Sequence, residues 1–332
     1  MTTKEEINEK VQKMVIKDAD FSDRLEDTIK PWLKAYLQEE YITGFDGTRL
    51  HVHYAIHPRE KAAVVMSHGF CEFAGKFHEV MYYLYEMGYS VFFIEHRGHG
   101  FSDRAACIHE LDRVYVKDYD EYVQDMKCFV DQIVVPKSLS HTYYLYAHSM
   151  GGAIGALFME AYPDFFAKAV LSCPMLQVDF GKAADWQAKM LMAVGRMLHW
   201  DCKYVPGKHG FDHVYAYETS CSGSEPRYAY IFQQREEIPE YSSYGATYAW
   251  TDASIRATEQ IRSDVAKIQL PVLLCQAGRD TMVKPEGQEY FAAHSGNTRL
   301  VRFPDAKHEL YTAQDEVILP YYQEIFDFYG CE

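Results

Sequence analysis

The chain has 332 residues, 48% hydrophobic and 24% charged, the composition of a globular protein long enough to bury most of its apolar surface. Asp and Glu number 48 against 33 Lys and Arg, a net charge of −15 that repels phosphate backbones and argues against a nucleic-acid partner. The opening MTTKEEINEKVQKM is charged and lacks the apolar core of a signal peptide, and no stretch approaches the roughly 18 uncharged apolar residues that a membrane span needs.

Cys71, Cys107, Cys128, Cys173, Cys202, Cys221, Cys275 and Cys331 are scattered without a C-x-x-C pair, and several sit in apolar runs such as PVLLCQAG. That usage predicts reduced, small core residues in a cytoplasmic protein, without a disulfide frame or a zinc site.

In chain order, residues 1–38 read as an acidic helical extension. EEYITGF and RLHVHYAI follow as strands joined at the Asp46-Gly47 turn. Then buried-type strands (AAVVMSHG, SVFFIEHRG, TYYLYAHS, AKAVLSCPM) alternate with helices (FHEVMYYLYEMG, DYDEYVQDMKCFVDQIV, GGAIGALFMEAYP). Continuous apolar strands between amphipathic helices predict a mostly parallel central sheet flanked by helices on both faces. The alternation stops near residue 176 and resumes near 268 with KIQLPVLLCQAG, a helix at 284–294, RLVRFPDAKH and a last helix. The core is therefore expected over 39–176 and 266–332, with a helical cap of residues 177–265 inserted after the sixth strand. In the cap, Trp186, Met190, Val194 and Leu198 recur every four residues, with Leu191 and Met197 beside them. The expectation is a stripe packed mostly between cap and core, some of it lining a substrate pocket.

The chemistry centres on YAHSMGG. Ser149 lies between a strand and a helix, with the small residues Ala147 and Gly151 two positions to either side, expected to face each other across a sharp turn. This is the setting of a nucleophile elbow, whose serine stands exposed over a helix N-terminus. In such folds the acid and then the histidine follow along the chain. His308 in RFPDAKHEL follows the last strand-like run, and Asp280 follows PVLLCQAG. Asp305 and Asp252 compete for the acid, but a strand end holds a carboxylate better than the loop that carries the histidine. Backbone N–H groups of Phe70, after the His68-Gly69 turn, and of Met150 are the expected oxyanion donors. Neither the His51/His53 pair nor the His209/His213 pair has a third ligand nearby in sequence, so no metal is expected. No nucleotide-binding glycine motif occurs, so no cofactor is expected either.

With these residues placed, the chain resembles the serine α/β-hydrolases, and within them the monoacylglycerol lipase and bacterial lysophospholipase group. HGFCEFAGKFHEVMYYL, with Glu72 and Phe77, is similar to that group's oxyanion-loop segment, and EHRGHGFSDR, YAHSMGGAI and GATYAWTDASIRATEQI are similar to later segments. The resemblance implies an α/β-hydrolase fold and a carboxylic ester hydrolase acting through an acyl-enzyme on Ser149. Its substrate would be a small-molecule monoacyl lipid ester, with at most transient contact with a membrane surface. Two alternatives share the fold: a proline-type serine aminopeptidase, using acids such as Glu225, Glu236, Glu237 and Glu240, and a non-catalytic ligand-binding homologue.

Overall fold

The computed structural model describes residues 4–181 and 183–330; Cys331 lies outside them. Eight strands form one sheet: β1 (Gln38–Thr43), β2 (Arg49–Ala55), β3 (Ala63–Ser67), β4 (Ser90–Ile94), β5 (Tyr143–His148), β6 (Lys168–Ser172), β7 (Val272–Ala277) and β8 (Thr298–Phe303). Their spatial order is β1-β2-β4-β3-β5-β6-β7-β8. β2 runs antiparallel to both β1 and β4, and every other pairing is parallel.

Each parallel strand from β3 to β7 is apolar along its length because helices cover both faces. On one face lie α1 (Lys4–Met14), a helical run through residues 21–36 that ends in α2 (Lys30–Tyr36), α3 (His78–Glu86) and the C-terminal α10 (Asp315–Gly330). Ile7, Val11 and Trp32 bury against Tyr83, Tyr322 and Phe326 there, so the N-terminal extension is part of the core. The other face carries α4 (Tyr119–Phe129), α5 (Met150–Ala161), α8 (Tyr248–Asp264) and α9 (Pro285–His294). This is the α/β-hydrolase arrangement.

The long insertion leaves the sheet after β6, its sixth strand, and holds α6 (Asp185–Met197) and α7 (Glu225–Glu237) before α8 returns to the core. Trp250, Ala253, Ala257 and Ile261 of α8 bury against the sheet face. The α6 stripe differs from expectation: Trp186 is 62% exposed and Met197 80%, with Met190, Val194 and Leu198 also facing solvent. The helix buries instead the side that carries Ala188, Met192 and Gly195, with Met192 packed beside Tyr248 and Ile255. At Gly195 a Cβ would come within 2.4 Å of the Tyr248 ring, so α6 lies close on α8 only through that face.

A second departure is covalent. Cys107, in the loop after β4, is disulfide-bonded to Cys202 in the insertion, whereas Cys71, Cys128, Cys173, Cys221 and Cys275 are free. Spacing could not reveal this pair because the two residues are 95 apart and meet only through the fold. Around the bond, Arg113–Val114 pairs in parallel with Gly245–Ala246, and Tyr204 Oη donates to Asp112 over 2.8 Å. Fully buried Arg227 of α7 makes a comparable tie at the other end, donating to Glu79 (2.7 Å) and to the Ile16 carbonyl (2.7 Å).

Because the disulfide closes a long loop, Cys107→Ser is expected to lower unfolding free energy by about 2–4 kcal/mol in denaturant titration under non-reducing conditions. An unchanged midpoint would mean that the bond does not constrain the unfolded chain.

Candidate active site

Ser149 occupies the turn between β5 and α5 with φ 52° and ψ −118°, a backbone conformation that side-chain-bearing residues rarely adopt. Its N–H donates to the Ser172 carbonyl (3.0 Å), and its own carbonyl accepts the Met175 N–H (2.8 Å), fastening the turn to β6 and its exit. The bend brings α5 against the end of β3. A Cβ at Gly151 would sit 2.1 Å from the Ser67 carbonyl oxygen, which makes glycine obligatory there. Ala147 also packs against Gly155, where a Cβ would lie 3.4 Å from that of Ala147. A methyl is therefore accommodated at 147 because Gly155 lies opposite.

The end of β7 brings Asp280, and the loop after β8 brings His308, to this serine. His308 Nε2 lies 2.8 Å from Ser149 Oγ, and Nδ1 lies 2.6 Å from Asp280 Oδ2. The other Asp280 oxygen accepts the N–H groups of Met282 (2.8 Å) and Val283 (3.2 Å). Burial opposes its ionisation, but the His308 charge and hydrogen bond, with those two N–H groups, hold the carboxyl below its ordinary value. Of the competing acids, Asp252 instead pairs with Arg196 and Arg256.

The loop after β3 completes the site. His68 donates through Nδ1 to the Gly69 carbonyl (2.8 Å) and accepts the His96 N–H at Nε2 (2.9 Å). A Cβ at Gly69 would lie 3.0 Å from that of Ser149, so the chain passes close to the serine just before Phe70, and the Phe70 ring packs on Trp250 at 4.1 Å. Met150 is the first residue of α5. Ser149 is 8% exposed, under the insertion. Ser149, Asp280 and His308 do not themselves line the neighbouring cavity of about 400 Å³, but Phe70, Met282, whose N–H bonds Asp280, and Glu309, next to His308, do. Phe211, Tyr228, Phe232 and Tyr244 supply aromatic walls, and Lys76, Lys208 and Arg235 supply cations.

Comparison with known proteins gives the family. Residues 58–315 match the family described as serine aminopeptidase, S33. The chain belongs to that family. It is 25% identical over 280 residues to the probable lysophospholipase L2 of Haemophilus influenzae, covering 84% of this chain and 87% of that one. It is 28% identical over 275 residues to lysophospholipase L2 of Escherichia coli K12, covering 80% of each. In fold it is similar to a soluble variant of monoglyceride lipase from Saccharomyces cerevisiae (TM-score 0.70, 16% identity), over 89% of this chain and 96% of that one.

In this S33 chain the sequence reading missed a buried support beneath the serine. Glu72 accepts the Gly69 N–H, Tyr311 Oη (2.6 Å) and His148 Nδ1 (3.1 Å), while His148 Nε2 donates to the His308 carbonyl (3.3 Å). One carboxylate thus holds the residue before Phe70, the residue before Ser149 and, through it, the backbone of His308. Lys76 stands 3.4 Å from Glu72 and 2.5 Å from Glu309. Burial disfavours the Glu72 charge, but the His148 and Lys76 charges outweigh it and hold the carboxyl well below its usual range. Burial likewise disfavours protonated His148, and Glu72 outweighs it, raising the imidazole above its usual 6.5. The available signal was the neighbourhood of His148, next to the serine; only the fold reveals its partner 76 residues earlier.

The Glu72 contribution is present above its ordinary value near 4.5 and lost as pH falls through the lowered folded value. The His148 contribution is present below 6.5 and lost as pH rises through the raised one. Glu72→Gln leaves buried, protonated His148 without its counter-charge, so denaturation should show a loss of about 3–5 kcal/mol between those limits, narrowing outside them. A loss independent of pH would contradict an ionised pair.

Proposed function

We propose that this chain hydrolyses carboxylic esters of monoacyl lipids, in the manner of a lysophospholipase or monoacylglycerol lipase, through an acyl-enzyme on Ser149. The observation that carries this reading is the unbroken chain Asp280–His308–Ser149 at 2.6 and 2.8 Å beside an aromatic cavity. The named relatives support the lipid class.

Ser149 Oγ attacks the ester carbonyl while its proton passes to His308 Nε2, and Asp280 accepts the Nδ1–H and stabilises the imidazolium. The Phe70 and Met150 N–H groups receive the oxyanion; losing one such donor typically costs about 2.7–4 kcal/mol of barrier. The alcohol leaves with the His308 proton. Water then gives a proton to His308 and attacks the acyl carbonyl, and as the bond to Ser149 Oγ breaks His308 returns that proton to Ser149, releasing the fatty acid. These steps use only groups of the chain itself.

The cavity favours an anionic head group. It contains Lys208 and Arg235 besides Lys76, which Glu309 already pairs, and Asp212 is its other acid. Glu225, Glu236, Glu237 and Glu240, which an aminopeptidase would use to hold a free amino terminus, are not among the lining residues. Lysophospholipid is therefore the first choice, monoacylglycerol the second. The exposed α6 stripe suits brief contact with a neutral lipid surface, Trp186 and Met197 being the most exposed of its members. No helix among the described residues is long and apolar enough to cross a membrane. The Cys107–Cys202 bond removes the cysteine argument for a reducing, cytoplasmic setting.

Hydrolysis of lysophosphatidylcholine, a monoacylglycerol and proline-β-naphthylamide should rank in that order, with Ser149→Ala abolishing all turnover; preferred cleavage of the amide would overturn the lipid reading. Lys208→Ala should raise KM for lysophospholipid about tenfold, the worth of a lost charge-assisted hydrogen bond, and leave monoacylglycerol unaffected. Equal effects on both would place the head group elsewhere. Trp186→Ser with Met197→Ser should reduce co-sedimentation with phosphatidylcholine vesicles while leaving hydrolysis of a soluble short-chain ester unchanged; full retention on vesicles would exclude α6 from the contact.

A further inference from the structure

Across the sheet from the serine, three side chains of β1 and β2 converge without a role in the chemistry above. Antiparallel register sets Glu39 opposite His53 and Tyr41 opposite His51, so Glu39 and both histidines share one face. His51 Nε2 is 3.6 Å from Glu39 Oε2, and His53 Nδ1 is 3.8 Å from the same oxygen. The three ligand atoms of this group all lie within 4.8 Å of one another.

Neither distance is a hydrogen bond. His53, only 4% exposed, makes none at Nδ1, and its Nε2 is buried without a partner among the described residues. A ring nitrogen buried without a partner is costly as a purely structural element. His51 is different in an informative way. Its Nδ1 lies 3.1 Å from Glu95 Oε2, fully buried, so the proton belongs on Nδ1 and the Nε2 lone pair points toward Glu39. A carboxylate behind one ring nitrogen, with the other nitrogen bare, is the outer-shell arrangement that orients metal-ligating histidines.

We propose that Glu39, His51 and His53 bind a divalent first-row transition ion of the zinc class, with a fourth position open to water. Two imidazoles and a carboxylate suit Zn²⁺ better than Ca²⁺ or Mg²⁺, which prefer all-oxygen sets. Tetrahedral bonds of about 2.0–2.1 Å put donors about 3.4 Å apart, so the two spacings to Glu39 need only a few tenths of an ångström of closure, while the two histidine nitrogens lie within 4.8 Å of each other and close by rotation of their rings. The Glu39 side chain is 68% exposed and free to supply that movement. Glu39 and Glu95 together balance the dication, which answers the cost of bringing charge beside two buried rings.

The site would act as a clamp. It ties edge strand β1 to β2, and through His51 it reaches Glu95, which accepts the N–H groups of Ala74 (3.1 Å) and Phe101 (2.8 Å). Ala74 lies four residues beyond Phe70, so occupancy stiffens the segment next to the active-site loop without touching Ser149.

The test is titration of metal-stripped, full-length protein with Co²⁺ alone, read by visible d–d absorption, which reports four-coordinate nitrogen and oxygen ligation independently of turnover. The wild type should bind one equivalent with an intense tetrahedral band displaced by Zn²⁺. Glu39→Ala, on an exposed edge, should weaken binding at least about tenfold. His53→Phe, which keeps a ring against Phe93, should abolish the band while circular dichroism stays native. Absence of a stoichiometric band in wild type would overturn the site. So would a band that survives both substitutions, since Cys173, Asp280 and His308 form another group able to hold an ion.

Discussion

The conformation of one residue governs the active end of this molecule. Ser149 stands at φ 52° on a turn that the sheet and α5 over-determine, through the hydrogen bonds to Ser172 and Met175 and the close approach of Gly151 to the Ser67 carbonyl. Strain of this kind persists only where the surroundings impose it. Here they are the central parallel strands, apolar on both faces and buried under two helical layers. The stability of the core is thus what keeps the hydroxyl off the strand axis and over a helix start. Asp280 and His308 can then reach it from the ends of neighbouring strands.

Around that turn the protein separates rigid support from adjustable enclosure. Beneath the serine, Glu72 and His148 couple the loop before Phe70 to the backbone of His308, so two walls of the site move together or not at all. Above it, the insertion supplies most of the cavity and is stitched down at two distant points, by Cys107–Cys202 at one end and by Arg227 at the other. Earlier in the insertion than either tie, α6 keeps the side with Trp186 and Met197 toward solvent.

The fold was legible in the sequence because β3 to β7 are long apolar runs separated by helices of matching period, and the break in that rhythm is what suggested an insertion. Ser149, Asp280 and His308 were proposed from order along the chain, since strand ends are where such groups gather, and the fold brings the three side chains within 2.8 Å of their neighbours. What escaped notice depends on contacts that no local pattern encodes. The Cys107–Cys202 pair, the Glu72–His148 support and the approach of Glu39 to the two β2 histidines all join segments far apart in sequence. The α6 stripe misled for the opposite reason. Its periodicity was real, but periodicity identifies an apolar face without saying that protein covers it, and Gly195 allows the other face to pack closer.

The central claim is that an acyl group from a monoacyl lipid passes through Ser149 Oγ. Rapid mixing with lysophosphatidylcholine, acid quenching, and peptide mass spectrometry addresses it directly. The account predicts a transient mass gain of one fatty acyl group on the peptide carrying Ser149, absent in Ser149→Ala and lost as hydrolysis completes. Turnover with no acylated Ser149 peptide at any quench time, or with the acyl group on another residue, would contradict it.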